Sequence, residues 1–420
     1  MKRINPNSVL KAQYFTLYAF AFTLPLHQKI STLILVLLSV LSLLRLNRKI
    51  DFGIPSYIFP VALYILVGLS LLYSESFEFK YLENRASLIT FPLIFLTLKL
   101  DNVIVVRILK YFVLGCLTAI VCCYLNAFNN SLEWSGGRLV FRPLVNEDFS
   151  FFYAVVRDGN YFFAKHFSIF HDTIYFSLYL NTAIAIILSH SVKKSGFNKW
   201  NILALFLLTL VVFQLSSKMG IIICFILFTL FLFIKLKDLK LKILIPLLII
   251  ILGSVFLVKN PRGKVMVETF IEKGLTIDPE NRFGYGLRLM SWDAAISIIE
   301  GNLLFGVGVA DAQKELNKTY KVKGYTTPLK QNLNVHNGFL QILLECGLLG
   351  LFALLAIFIG FLHALFSIPS KQLFNLFLLI ILGLGFLFES MLNRFSGISF
   401  VMLFYCLLVN YSQNVRKTAC

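Results

Sequence analysis

Charge is in short supply in this chain. Of its 420 residues only 14% are Asp, Glu, Lys or Arg, while 58% are hydrophobic and the mean hydropathy is +0.79. A soluble domain carries roughly 25% charged and 45–50% apolar residues, so a water-soluble fold of this length is excluded. Acids are scarcer than bases, 21 against 39, which leaves a net charge of +18. Cysteine supplies seven residues, an odd number, and Cys116, Cys122, Cys123, Cys224, Cys346 and Cys406 all lie in apolar runs. That placement argues against a disulfide framework and for small packing residues. No small-residue cleavage site follows the short basic segment Met1–Lys11, so the first apolar run is expected to stay and act as its own signal. No internal repeat, low-complexity tract or separate soluble domain stands out.

What the chain does have is apolar length and aromatic rings, with 43 Phe and 17 Tyr for lipid contact and interfacial belts. About 20 apolar residues cross a bilayer as a helix. About twelve such stretches are present, centred near Phe20, Val36, Leu66, Phe95, Thr118, Leu180, Leu208, Phe228, Ile250, Leu354, Leu382 and Phe404. The expected fold class is therefore an all-α polytopic membrane protein. Its expected divisions are spans 1–5 over residues 1–126, a first long outer loop over 127–166, and spans 6–9 over 167–258. A large outer loop follows over 259–336, then spans 10–12 and a cytoplasmic tail over 337–420.

Orientation follows from Lys and Arg in the short connections, which accumulate on the cytoplasmic side. With a cytoplasmic N-terminus that side receives about 19 such cations, among them Arg45, Lys110, Lys199 and Lys371. The opposite short loops hold 5, namely Lys29, Lys80, Arg85, Lys218 and Arg394. Both termini are then expected to be cytoplasmic, and the net charge requires no nucleic acid. Long loops are exempt from this rule. The cations of the large loop, Arg262, Lys264, Arg282, Arg288, Lys314 and Lys318 among them, fit an anionic ligand and fit a solvated basic loop equally. Within that loop Leu287–Ile299 places Leu289, Trp292, Ala295, Ile296 and Ile299 at helical spacing. This predicts an amphipathic helix lying on the membrane surface, ended by the glycines at 301, 306 and 308.

His336 closes the large loop, immediately before Asn337 and the apolar run Phe339–Phe361. An imidazole at that interface can take a proton from a hydroxyl near neutral pH; it can equally anchor a helix end. The stretch VHNGFLQILLECGLLGLF, with His336, Asn337, Glu345, Gly347 and Gly350, resembles the signature of the O-antigen ligase and O-antigen polymerase superfamily of bacterial membrane glycosyltransferases. Upstream, GLRLMSWDAAISIIEGNLLFGVGVADAQ looks like that family's Arg, Trp and Gly-x-Gly block. The segment Gln214–Met219 stands where relatives carry a Ser-Arg pair. Two departures are present: Lys218 takes the place of arginine, losing a planar fork for phosphate, and Asn302 takes that of a proline.

The resemblance implies a GT-C-like fold in the bacterial inner membrane. It also implies glycan transfer from an undecaprenyl-diphosphate carrier to a hydroxyl acceptor at the periplasmic face. In that reading His336 activates the acceptor hydroxyl with inversion at the anomeric carbon, and Arg288 meets the leaving diphosphate. Lys218, Arg282, Asn337, Glu345 and His171 are the substrate-binding candidates. An exposed loop arginine is the plainer alternative for Arg288, and Glu345 is equally suited to positioning helices. Glu389, beside Arg394, reads as one half of a structural ion pair. No cofactor is expected. No metal is expected either: the first outer loop, His27–Lys29, offers no carboxylate, and Asp278 with Glu280 makes too few ligands. The ligase type, with a lipid A core acceptor, heads the expectations. A polysaccharide repeat polymerase and a protein O-oligosaccharyltransferase are its close alternatives. From another class, a lipid-linked glycan flippase would show a similar number of spans, but with charges along several of them and repeats.

Overall fold

The computed structural model describes residues 6–45, 55–145, 159–193, 197–259, 267–268, 270–271, 274, 276–279 and 284–419. Each of the twelve expected span centres falls inside a helix: α1 (Pro6–Thr23), α2 (Gln28–Leu43), α3 (Ile58–Leu72), α5 (Ser87–Leu96), α6 (Asn102–Ser131), α8 (Thr173–Lys193), α9 (Lys199–Gln214), α10 (Lys218–Lys235), α11 (Leu239–Lys259), α15 (Gly338–Ser367), α16 (Gln372–Phe388) and α17 (Phe395–Ala419). Five helices, Asn102–Ser131, Thr173–Val192, Lys218–Lys235, Gly338–Ser367 and Phe395–Arg416, are long and apolar enough to cross a membrane. Five shorter apolar helices, α2, α3, α5, α9 and α16, accompany them. The short helices are α4 (Lys80–Arg85), α7 (Ala164–Phe167), α13 (Ala312–Val322) and α14 (Thr326–Lys330); α12 (Gly284–Gly301) belongs to the large loop.

The core follows from which apolar helix has no face left for lipid. That helix is α17, whose spanning window is 94% buried; α5, α15 and α6 pack around it. A helix buried on all sides must satisfy its polar groups internally. Asn410 does so, its Nδ2 donating to the carbonyls of Phe95 and Leu98 and its Oδ1 accepting from the Leu100 N–H. One side chain thus saturates the link between α5 and α6.

The apolar run after His336, expected as one span, is broken. Gly347 sits at φ 64°, ψ −160°, inside Gly338–Ser367. Backbone freed at such a break must find partners within the protein. The Leu303–Gly308 loop supplies them: Val307 N–H donates to Leu344 O at 2.8 Å, Gly308 N–H to Glu345 O at 3.1 Å, and Leu348 N–H to Leu303 O at 2.9 Å. A Cβ on Gly347 would stand 2.2 Å from Leu304 O, so only glycine allows this approach. The Gly-x-Gly block is therefore docked into the break.

The described residues are mainly α-helical, as expected, with one short exception: β1 (Leu132–Ser135) and β2 (Arg138–Phe141) form an antiparallel hairpin directly after α6. Gly136 and Gly137 turn it at φ 58° and 76°, as two-residue hairpins require. The loop helix forms as expected and extends to Gly284–Gly301, but its packed face is rotated. Met290, Ala294, Ala295 and Ile299 are buried in a small core with Leu316, Tyr320, Val335 and Leu344, whereas Ile296 is 46% exposed. Helices α13, α14 and α15 cover the face that was expected to meet the membrane. The six described cysteines are free.

Candidate active site

His336 and Glu389 meet where α15 begins and α16 ends. The histidine backbone is held at φ 50°, a left-handed conformation uncommon outside glycine, with its N–H donating to Asn334 Oδ1. Such conformations persist where the surroundings over-determine them. Here the overdetermination is visible on the C-terminal side: Asn337 Oδ1 accepts from the N–H groups of Phe339 and Leu340, both at 3.0 Å, and caps α15. Gly338 lets the two helix ends touch, since a Cβ there would press on the Phe386 ring and stand 3.3 Å from Glu389 O. Across this contact His336 Nδ1 lies 3.2 Å from Glu389 Oε2. The imidazole is 28% exposed and the carboxyl 6%. An ionised carboxylate only accepts, so in the tautomer that pairs with it Nδ1–H donates and Nε2 keeps the lone pair.

Arg288 stands on the second turn of α12. Burial pushes its guanidinium below the ordinary arginine value, and the nearby Glu389 charge partly restores it. Its Nε is buried with no hydrogen-bond partner, and so is Nε1 of Trp292, four residues on and therefore on the same helix face. A buried orphan donor costs on the order of 1–3 kcal/mol. Both lie on one face of α12, and the charge of Glu389 reaches Arg288. Lys218 is the exposed first residue of α10, which Ser217 caps; its Nζ would lie 3.2 Å from a Cβ on Gly284, the first residue of α12. Glu389 thus lies beside His336 and within electrostatic reach of Arg288, Trp292 follows Arg288 one turn on, and Lys218 stands at the start of Arg288's helix.

Other candidates are engaged elsewhere. Glu345 accepts from Arg85 Nη2 with both oxygens, at 2.9 and 2.8 Å, and from Gln341 Nε2 at 2.8 Å; Arg85 and Glu345 side chains are each 3% exposed. Asn337 uses its oxygen in capping. His171 is buried, with Nδ1 3.1 Å from Ser396 Oγ and its ring edge-on to Tyr179; burial pushes its pKa down to about 4. Arg282 lies outside the described residues. The ion pair read for Arg394 exists, but with Asp172 rather than Glu389. Lys314, Lys318 and Lys323 of the large loop are neutralised by Glu75, Glu315 and Asp293. Among the described residues no group of three His, Cys, Asp or Glu is gathered around a common point.

Arg85 and Gln341 are the residues sequence reasoning undervalued. Arg85 Nε donates to Leu392 O and Nη2 to Asn393 Oδ1, fixing the segment that carries Glu389. Gln341 Oε1 accepts from Ser390 Oγ and from Val335 N–H, each at 3.3 Å, the neighbours of Glu389 and His336. One signal was present: Arg85 is a cation on the outer side, where the topogenic rule places few.

Fold and site together define a helical membrane protein with a histidine–carboxylate pair and a buried arginine within electrostatic reach of it. Residues 203–355 match the family model described as O-antigen ligase, so this segment of the chain is similar to that family. The matched segment includes Lys218, Arg288, Trp292, His336 and Glu345; Arg85 and Glu389 lie outside it. No curated protein matches the chain.

Proposed function

We propose that this protein transfers a glycan from an undecaprenyl-diphosphate carrier to a hydroxyl acceptor, as an O-antigen ligase with a lipid A core acceptor. The observation that carries the reading is the Glu389 carboxyl, 3.2 Å from His336 Nδ1 and within electrostatic reach of the buried Arg288 guanidinium. In the reaction His336 Nε2 removes the acceptor's hydroxyl proton while Glu389 holds the imidazole and balances its gained charge. The freed oxygen bonds to the anomeric carbon, and the carbon–oxygen bond to the diphosphate breaks on the opposite face, inverting the configuration. The departing diphosphate keeps the electron pair. Fixed donors aimed at that growing charge stabilise the transition state, which gives Arg288, Trp292 and then Lys218 their work, with Arg282 as a further contact. No metal takes part in this scheme.

Glu345 and Asn337 are positioning residues in this account, and His171 shapes the wall near the bundle's outer end. The twelve apolar helices are taken as spans, with both termini cytoplasmic and the site at the periplasmic face of the inner membrane. Reconstitution with a polyprenyl-diphosphate glycan and candidate acceptors tests the assignment. One-step capping of lipid A core supports the ligase, a ladder of repeats made without core indicates a polymerase, and a modified polypeptide indicates protein glycosylation.

A further inference from the structure

A concavity lies at the far end of the bundle from His336. Its volume is about 720 Å³, and it opens between the first turns of α6, the last turns of α8, the start of α9 and the start of α16. The other ends of α8 and α16 lead to Asp172 and Glu389. The 17 residues of α16 put about 25 Å between the two places at 1.5 Å per residue.

The lining has two chemistries. Lys110, His190 and Lys371 stand on it with the amides of Asn198 and Asn201, and its apolar wall includes Val106, Leu109 and Val113. Among the described residues that line it none is acidic. Ordinary topogenic lysines sit on solvated loops. These two arrive from helix α6 and from the turn before α16, far apart in sequence, and converge on one hollow with an apolar wall. Trp200, next to Asn201, is 67% exposed, with Lys199 Nζ 5.6 Å from its ring centroid. An exposed tryptophan with a lysine against it belongs at the level of lipid headgroups, which sets the concavity at a membrane–water boundary whichever leaflet that is.

We infer that this cleft binds an anionic phospholipid, its phosphate between Lys110 and Lys371 and an acyl chain along Val106, Leu109 and Val113. Cations facing anionic headgroups attract them additively, and the apolar wall adds the selectivity for a lipid over a free anion. This site is separate from the transfer reaction and does not depend on it.

The test uses the full chain in phosphatidylcholine nanodiscs titrated with phosphatidylglycerol, with retained lipid counted by native mass spectrometry. Wild type is expected to retain phosphatidylglycerol over phosphatidylcholine by roughly 30-fold, two lysines' worth of headgroup attraction. The double variant Lys110→Gln/Lys371→Gln is expected to lose that preference. A second variant, Val106→Trp, fills the wall and keeps every charge; it is expected to lose the lipid while inorganic phosphate still raises its Tm. Equal retention by wild type and the double glutamine variant overturns the inference. So does equal stabilisation of wild type by inorganic phosphate alone and by phosphatidylglycerol, which would assign the site to a free anion.

Discussion

His336 Nδ1 lies 3.2 Å from Glu389 Oε2, joining the residue that closes the large loop to the residue that ends α16. The pair is held from outside. Gln341 accepts from the neighbours of both, and Arg85 grips the segment three and four residues beyond Glu389, through the Leu392 carbonyl and the Asn393 side chain. The histidine and carboxylate that the proposed reaction uses as base and orienter are thus held in place by the protein itself, and preorganisation of this kind is where catalytic sites gain most.

Glu389→Gln keeps an acceptor for Nδ1–H and removes the charge; a fall in kcat of about 10-fold to 100-fold is expected, with donor KM nearly unchanged. Glu389→Ala should approach the roughly 10²–10⁴-fold contribution of a general base. A purely structural role would instead move KM and protein yield together, so steady-state kinetics on the purified variants separate the two.

Arg288→Met exchanges a desolvated guanidinium with an orphan Nε for an apolar side chain of similar length. Transfer should fall by roughly 10²–10³-fold, the scale of one lost transition-state donor. The ligand-free protein should keep or gain thermal stability, because an unpaired buried charge costs folding energy. Arg288→Lys, which keeps charge and loses the fork, should fall between the two in activity. A large drop in Tm for Arg288→Met would show that the guanidinium is a structural partner.

Much of this was legible in the sequence, and the boundary is physical. A helix stands at each of the twelve expected span centres, five of them among the described residues long and apolar enough to cross a membrane, and the setting of His336 and Arg288 in polar loop beside apolar run marked them. Partners were not legible. Glu389 was assigned to Arg394, its near neighbour in sequence, because chain distance says nothing of a contact made across two helix ends. Arg85 looked like one leftover cation among five. The break at Gly347 was hidden in an unbroken apolar run, because what stabilises it, the 303–308 backbone, comes from another part of the chain. The hairpin's Gly136–Gly137 signal was there and was absorbed into a long loop.

Arg85 and Glu345 are each 3% exposed, and removing one partner of a buried pair leaves a bare charge at a cost of about 3–5 kcal/mol. Arg85→Met and Glu345→Leu alone should each lower Tm strongly, whereas the double variant should recover most of the loss. Its transfer rate should remain low, because the 389–394 segment loses its grip. Recovery of full activity in the double variant would remove the pair from the positioning role.

His171 gives a pH test outside the reaction. Burial holds its imidazole neutral down to about 4, while the unfolded chain takes up the proton near 6.5. The unfolded state therefore binds more protons between those values, so stability present above about pH 6.5 is lost as pH falls towards 4. His171→Gln, which can still bond Ser396, should flatten that decline in Tm. Parallel curves for wild type and variant would contradict the assignment.

The central claim is that His336 is the base of a transfer that releases polyprenyl diphosphate. The most direct measurement follows that release from a lipid-linked glycan donor, with and without a hydroxyl acceptor, by wild type and His336→Ala reconstituted at equal abundance. The account predicts acceptor-dependent release matched by one new glycosidic bond per carrier in wild type, and none in the variant. Release by His336→Ala at the wild-type rate would contradict it, as would a wild-type protein that moves the lipid-linked glycan across the vesicle and never forms a bond.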